Sequence, residues 1–489
     1  MGKTNNTRQA AWIAIGSLFS FGFTIVSSMI LSRYFDKSDY GTYKQVLYVY
    51  HTLLTVFTLG LPKAYSYYLP RVGQNQAKSL INKLTSLFLL LGGVFSLLLF
   101  VFAPQIASIL KNENLIEALR LFAIVPLLML PTMGLEGILS TYRKALFFAV
   151  YTIATRLVML LCVAIPVVFF KSGYMGAIGG FVLSSAFSCA LALILKYYPV
   201  KQYAKERCDV RIIEIFKFSL PLLFASLWGM VIRSADQFFV SRYFGTVVFA
   251  EYSNGAMELP FVGMIVGACA AVLSPIFSRL SHEQVDFKKE VYPLWMSVFE
   301  KTVKLIYPLV IYCIFFADIV MIVLYGKQYE ISATYFRIKL LANFFTLISY
   351  ASLIINTGNV KYYQNVHMYG AIILIISEYF SIILFNSPYV VTIVSVVNQI
   401  GRILFMLLLV SRLFKIKVKQ LFPIKLILQI ILPSSFFLFI ERVLLFKYFD
   451  FCNSIVLFLI GITIYFVFYF CYAKIIRIDY LSIIKPLLR

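Results

Sequence analysis

The chain has 489 residues, 61% hydrophobic and 13% charged, with a formal net charge of +23. A soluble core of this length does not need so much apolar surface, whereas a bilayer does, so a soluble globular protein is excluded. The excess of Lys and Arg would suit nucleic acid, but the basic residues sit in short loops between apolar runs, where they orient a membrane protein, and no nucleic-acid partner is expected.

Residues 11–31 form the first apolar run, too long for a signal-peptide core and without a small-residue cleavage site, and are expected to be an uncleaved first span. Further runs of about 20 residues, the length that crosses a hydrocarbon core, follow at 45–66, 84–103, 115–139, 148–170, 175–195, 213–240, 250–277, 296–324, 333–356, 366–385, 389–410, 426–446 and 454–472. The fold class is therefore an all-α polytopic membrane protein of about fourteen transmembrane helices. An even number places both termini on one side. With the N-terminus in the cytoplasm, the cytoplasmic segments carry 28 Lys and Arg and the outer segments 8. The positive-inside rule thus puts both termini in the cytoplasm.

Every loop is too short to fold as a domain, which disfavours a membrane-embedded sugar or acyl transferase, and there is no P-loop. The seven cysteines are scattered without a CxxC, and the three histidines lie far apart, so neither a disulfide framework nor a metal site is expected.

The tetrapeptide Ser-Arg-Tyr-Phe occurs at 32–35 and again at 241–244, closing an apolar run each time and followed by a short polar loop. The match resumes between 64–71 and 272–279, both ending in arginine. This spacing argues for a duplicated unit. Six spans separate the copies, so the halves are parallel repeats. The expected organisation is a six-helix bundle over 1–200, a second over 201–420, and two additional helices with a cytoplasmic tail over 421–489.

Four segments carry a family resemblance: LSRYFDKSDYGTY at 31–43, GYMGAI at 173–178, ADQFFVSRYFG at 235–245 and IINTGNVKYY at 354–363. In these the sequence resembles the oligosaccharide flippases of the polysaccharide transporter family. That family shares a superfamily with multidrug and toxin extruders and lipid II flippases. The resemblance implies two bundles in a V-shaped arrangement and alternating access, with no catalysis and no cofactor. It implies movement of undecaprenyl-diphosphate-linked oligosaccharide to the outer leaflet for O-antigen, capsule or similar polymers. The partners implied are that lipid-linked substrate, membrane lipids, and a polysaccharide polymerase with its chain-length machinery. A cation-coupled drug extruder of the same superfamily is the alternative.

Ionisable groups inside spans cost about 2.5–3.5 kcal/mol on insertion scales, so they face partners or wet cavities. Lys63 lies eight residues before Arg71, about 12 Å inside the cytoplasmic surface at about 1.5 Å per residue. It directly follows Pro62, where a kink is expected, and no acid lies within a turn of it. Lys63, Arg156 and Arg233 are the candidate substrate contacts, because a diphosphate needs cations to replace its hydration. Arg233 and Asp236 are spaced i,i+3, so a neutralising pair is an equal reading. Glu136, Asp236 and Glu258 are candidates for H⁺ or Na⁺ coupling, with Asp318 and Glu378 as further intramembrane acids; Glu258 is expected to be buried beside a kink at Pro260. Glu378 is also read as a partner for Arg402. Arg337 and the Glu441–Arg442 pair are expected to snorkel to the interface. Arg33 and Arg242 of the repeated tetrapeptide are placed at the outer rim, as anchors of equivalent span ends or as gating residues.

The topology has a direct test. Alkaline phosphatase fused after Lys327 should be active, and after Lys201 inactive, while a fluorescent protein at the C-terminus should fluoresce. The opposite pattern would overturn the orientation.

Overall fold

The computed structural model describes residues 2–480 except 284, 349, 450–452, 477 and 479, with side chains from residue 12 and without those of 260, 271, 272 and 275. All of its regular elements are helices: α1 Gly2–Tyr34, α2 Lys37–Phe57, α3 Pro62–Tyr68, α4 Gln74–Val101, α5 Ala103–Leu110, α6 Leu115–Phe122, α7 Val125–Met129, α8 Leu135–Thr141, α9 Ala145–Phe170, α10 Gly173–Tyr197 and α11 Ile212–Gly255. They continue with α12 Pro260–His282, α13 Tyr292–Phe315, α14 Ala317–Tyr325, α15 Ser332–Leu340, α16 Asn343–Thr346, α17 Tyr350–Asn356, α18 Val360–Phe385, α19 Pro388–Phe414, α20 Ile424–Tyr448 and α21 Ser454–Ile475.

The expected count of fourteen spans is not confirmed. Among the described residues ten helices are long and apolar enough to cross a membrane, or up to twelve if two bent pairs, α13 with α14 and the 332–346 segment with α17, each make one span. One expected span falls short for a physical reason. Helix α2 carries Lys37, Asp39, Lys44, Gln45 and His51 and stops at Phe57, so its apolar stretch is broken. The start of the expected eighth span shifts: residues 257–259 are not helical, and the 23-residue helix α12 begins only at Pro260.

The chain divides into two compact units, residues 1–250 and 251–489. In the first, α9 packs against both α1 and α10, α4 against α7, and α3 against α8. Small residues permit this close approach: a Cβ on Gly180 of α10 would stand 2.0 Å from the Cys162 carbonyl oxygen of α9. Residues 201–211, the basic connector, lie against the start of α4. Asn75 Nδ2 donates to Glu206 Oε1 (2.7 Å), Gln76 Nε2 to Asp209 Oδ2 (3.0 Å) and Lys83 Nζ to the Val210 carbonyl (2.6 Å).

The second tetrapeptide copy is tied into this unit. Gln45 Nε2 donates to Ser241 Oγ at 2.8 Å, and Asn112 Nδ2 donates to Gln45 Oε1 (2.6 Å) and Thr42 Oγ1 (2.9 Å). Arg242 donates to the Ile109 carbonyl in the last turn of α5, an orphan acceptor that a cation satisfies well. In the first copy Arg33 donates back to the Met29 carbonyl at 3.2 Å. Helix α11 kinks at Gly245 (φ 82°), just after the tetrapeptide.

In the second unit α20 packs on α13, α21 on α14 and α20, and α18 on α19. Arg337 and Arg442 do not simply snorkel. Arg442 makes a bidentate contact with Asp318, with Nη1 at 2.8 Å from Oδ1, and Arg337 Nη2 lies 3.3 Å from the same carboxylate. Asp318 thus pairs with two guanidiniums from different helices, and the cluster keeps one net positive charge. Arg402 donates to Asn398 Oδ1 (3.0 Å) and contacts His367 Nδ1 (3.3 Å).

Asp318→Ala leaves two half-buried arginines without their carboxylate. It should lower stability by about 2 kcal/mol, between the values for surface and fully buried pairs, read as a lower midpoint in a detergent-denaturation titration. Asp318→Glu should retain most of the wild-type midpoint.

Candidate functional site

A cavity of about 510 Å³ opens in the first unit, lined by α3, the 129–137 segment, α8, α9 and α10. Its geometry begins at a backbone break. Helix α2 ends at Phe57, and Leu59 and Gly60 take φ of 48° and 69°. A Cβ on Gly60 would stand 2.5 Å from the Ser219 carbonyl oxygen, so glycine serves both the dihedral and the space. Pro62 then starts α3 at its first turn, where a missing N–H costs nothing. The expected kink is therefore a full break, and it turns Lys63 and Ser66, spaced i,i+3, to the cavity.

Across from α3, Gly134 (φ 78°) turns the chain into α8. A Cβ there would stand 2.0 Å from Cδ2 of Tyr65, so only glycine lets the ring seat. Tyr65 is fully buried; its hydroxyl bonds Thr85 Oγ1 (3.1 Å) and accepts from Lys196 Nζ (3.1 Å). The Lys196 ammonium also lies over the Tyr65 and Phe88 rings, 4.7 and 5.7 Å from their centroids. Sequence reasoning counted Lys196 as a loop residue, yet it is fully buried in the last turn of α10. The available signal was the unbroken run from the apolar span through Lys196-Tyr197-Tyr198 to Pro199.

Of the candidate residues, Lys63, Arg156 and Glu136 meet in this cavity. Among the described residues neither cation pairs with a carboxylate; Arg156 makes only a weak 3.5 Å contact to Met159 Sδ. Two cations against one acid leave the wall net positive. The hydroxyls have a common polarity. Thr132, Thr152, Thr155, Ser185 and Ser188 each donate to a carbonyl three or four residues back at 2.7–2.9 Å. Their oxygens are thereby left to the cavity as acceptors. Ser140 Oγ, also lining it, is buried without a partner. Phe148 and Tyr151, with ring centroids 6.4 Å apart, add aromatic faces. The wall can thus bind an anion and accept hydrogen bonds from hydroxyl groups. No cluster of three or more metal-ligating side chains occurs among the described residues.

The other candidates stand elsewhere. Arg233 is exposed on α11 near Gly229, and Asp236 is buried one turn on, accepting from the Gln237 N–H at 2.8 Å. Glu258, expected to be buried, is exposed in the extended residues before Pro260, because the helix stops short of it. Arg33 and Arg242 bond the backbone carbonyls described above.

Residues 30–334, more than half of the chain, match the protein family described as "Polysaccharide biosynthesis protein". The succinoglycan biosynthesis transport protein ExoT of Rhizobium meliloti is 24% identical over 66% of this chain, and the match spans 63% of that relative's length. The uncharacterized membrane protein MJ1068 of Methanocaldococcus jannaschii is 22% identical over 67% of this chain and 68% of its own. In fold the chain is similar to the lipid II flippase MurJ in an inward closed conformation, with a TM-score of 0.70, 16% identity and coverage of 95% and 99% of the two chains. It is also similar to a multidrug resistance MATE family transporter of the MOP superfamily in an inward-facing conformation, with a TM-score of 0.63, 14% identity and coverage of 83% and 99%.

Gly134→Ala must both strain a left-handed backbone and push into the Tyr65 ring. It should destabilise the protein by about 1–3 kcal/mol, read as a lower thermal midpoint in detergent.

Proposed function

From the premise that this chain belongs to the polysaccharide biosynthesis protein family, we propose that it is a flippase, not an enzyme. It carries undecaprenyl-diphosphate-linked oligosaccharide from the cytoplasmic to the outer leaflet of the bacterial inner membrane by alternating access. The observation that supports this is the cavity wall, where Lys63 and Arg156 face open space without carboxylate partners. A diphosphate gives up strongly held water on entering a bilayer protein, and charge-assisted hydrogen bonds replace it. The ring of hydroxyl acceptors and the Phe148 and Tyr151 faces suit sugar hydroxyls and sugar rings. The transport role of ExoT and the flippase role of MurJ are in keeping with such a cargo. A net positive wall is unfavourable for the cationic drugs of an extruder. Glu136 lines the same cavity as the two cations and is the acid through which H⁺ or Na⁺ would act on the cargo directly. A polysaccharide polymerase and its chain-length machinery would take the cargo on the outer face.

Proteoliposomes with a fluorescent undecaprenyl-diphosphate oligosaccharide test the reading. The fraction open to a membrane-impermeant quencher should change with time for the wild type. Lys63→Ala with Arg156→Ala should slow it at least tenfold, since each lost charge-assisted bond is worth about 1.5–3 kcal/mol. No movement by the wild type, together with cation-driven efflux of small dyes, would overturn the proposal.

A further inference from the structure

Helix α20 presents one packed stripe, Ile430, Ser434, Leu438, Glu441 and Leu445, at three- and four-residue spacing. It packs on α13 and α21. Glu441 is 4% exposed, and both of its carboxyl oxygens are buried without a hydrogen-bond partner. Its neighbour in sequence, Arg442, points about 100° away around the helix and is committed to Asp318 of α14, which also holds Arg337. Ser434 Oγ, two turns before Glu441, and the Tyr465 hydroxyl of α21 are buried in the same seam and face each other. The titratable groups facing Glu441 are the Tyr312 hydroxyl of α13 and the Tyr465 hydroxyl of α21, with the Cys313 thiol of α13 beyond Tyr465. Tyr312 already donates to the Phe458 carbonyl at 3.1 Å. No ion pair reaches Glu441 among the described residues.

We propose that Glu441 is a proton-binding site of the α13–α20–α21 seam, occupied by a proton in the closed arrangement seen here and emptied when the seam opens to water. An ionised carboxylate enclosed without a donor cannot recover its hydration, so it must be neutralised or paired. A proton does this without further ligands. An alkali cation needs a shell of oxygens, and Leu438 and Leu445 flank the carboxyl on its own stripe. Opening the seam rehydrates the carboxyl and releases the proton to the solvent, so proton binding and seam closure are linked. This gives the transport reading a coupling element outside the cavity, and it rests on that reading only for its consequence, since protonation is measurable without cargo.

The test is infrared spectroscopy of the full chain in nanodiscs at pH 7, without substrate. The wild type minus E441Q difference should show the C=O stretch of one protonated carboxyl, lost in E441Q. If E441Q does not fold, E441D should keep the band at a shifted frequency. Absence of the band in the wild type overturns the proposal. So does a rise in thermal midpoint on adding Na⁺ in place of choline that E441Q abolishes, because that assigns the site to an alkali cation. The quencher assay then separates the two readings. Protein that flips cargo without the band retains the transport proposal and loses this one, and the band without flipping does the reverse.

Discussion

The contact between the Tyr65 ring and the bare backbone of Gly134 sets the position of the cavity wall. The ring lies where a Cβ of residue 134 would stand, and its hydroxyl is held by Thr85 and by the buried ammonium of Lys196. Tyr65 belongs to α3 and Gly134 leads into α8, so this one contact sets the distance between the helix bearing Lys63 and Ser66 and the helix bearing Glu136. Lys196 has only hydroxyl and ring-face partners here. Such a cation stays buried because the aromatic quadrupoles and the hydroxyl replace part of its lost hydration. A buried amine therefore stands beside the Tyr65 ring, behind a wall that carries Lys63 and Arg156.

Charge is handled differently in the second unit. Asp318 collects Arg337 and Arg442 from two other helices into a compact cluster in which two guanidiniums share one carboxylate. One residue away in sequence, Glu441 is turned into a seam of leucines and tyrosines with nothing to answer it. Adjacency along the chain made these two residues look like a pair bound for the interface. A helix rotates each residue by about 100° relative to the last, so neighbours in sequence face different neighbours in space.

The repeated tetrapeptide marks span ends, and its second copy shows why those residue types recur there. A serine hydroxyl receives Gln45 inside the unit, an arginine satisfies an orphan carbonyl at the end of α5, and the glycine after it allows the kink. None of these tasks requires a ligand. The partners of Ser241 and Arg242 lie 133 or more residues away in the chain, so no local pattern announced them.

Much was legible from composition and period alone. The membrane class, the helical elements and the sites of the loops follow from runs of apolar residues long enough to cross a bilayer, a constraint that acts locally. The cavity residues Lys63, Arg156 and Glu136 were visible individually, because a charge in an apolar run is conspicuous. Tertiary structure decided which of them share a wall, since they belong to α3, α9 and α8 and only packing brings those helices together. It also decided that α2 falls short as a span, that Arg233 and Glu258 do not line the cavity, and that Lys196 and Glu441 are buried. Hydropathy reports what a segment prefers, whereas the partner of a charge is fixed by which faces of distant helices meet.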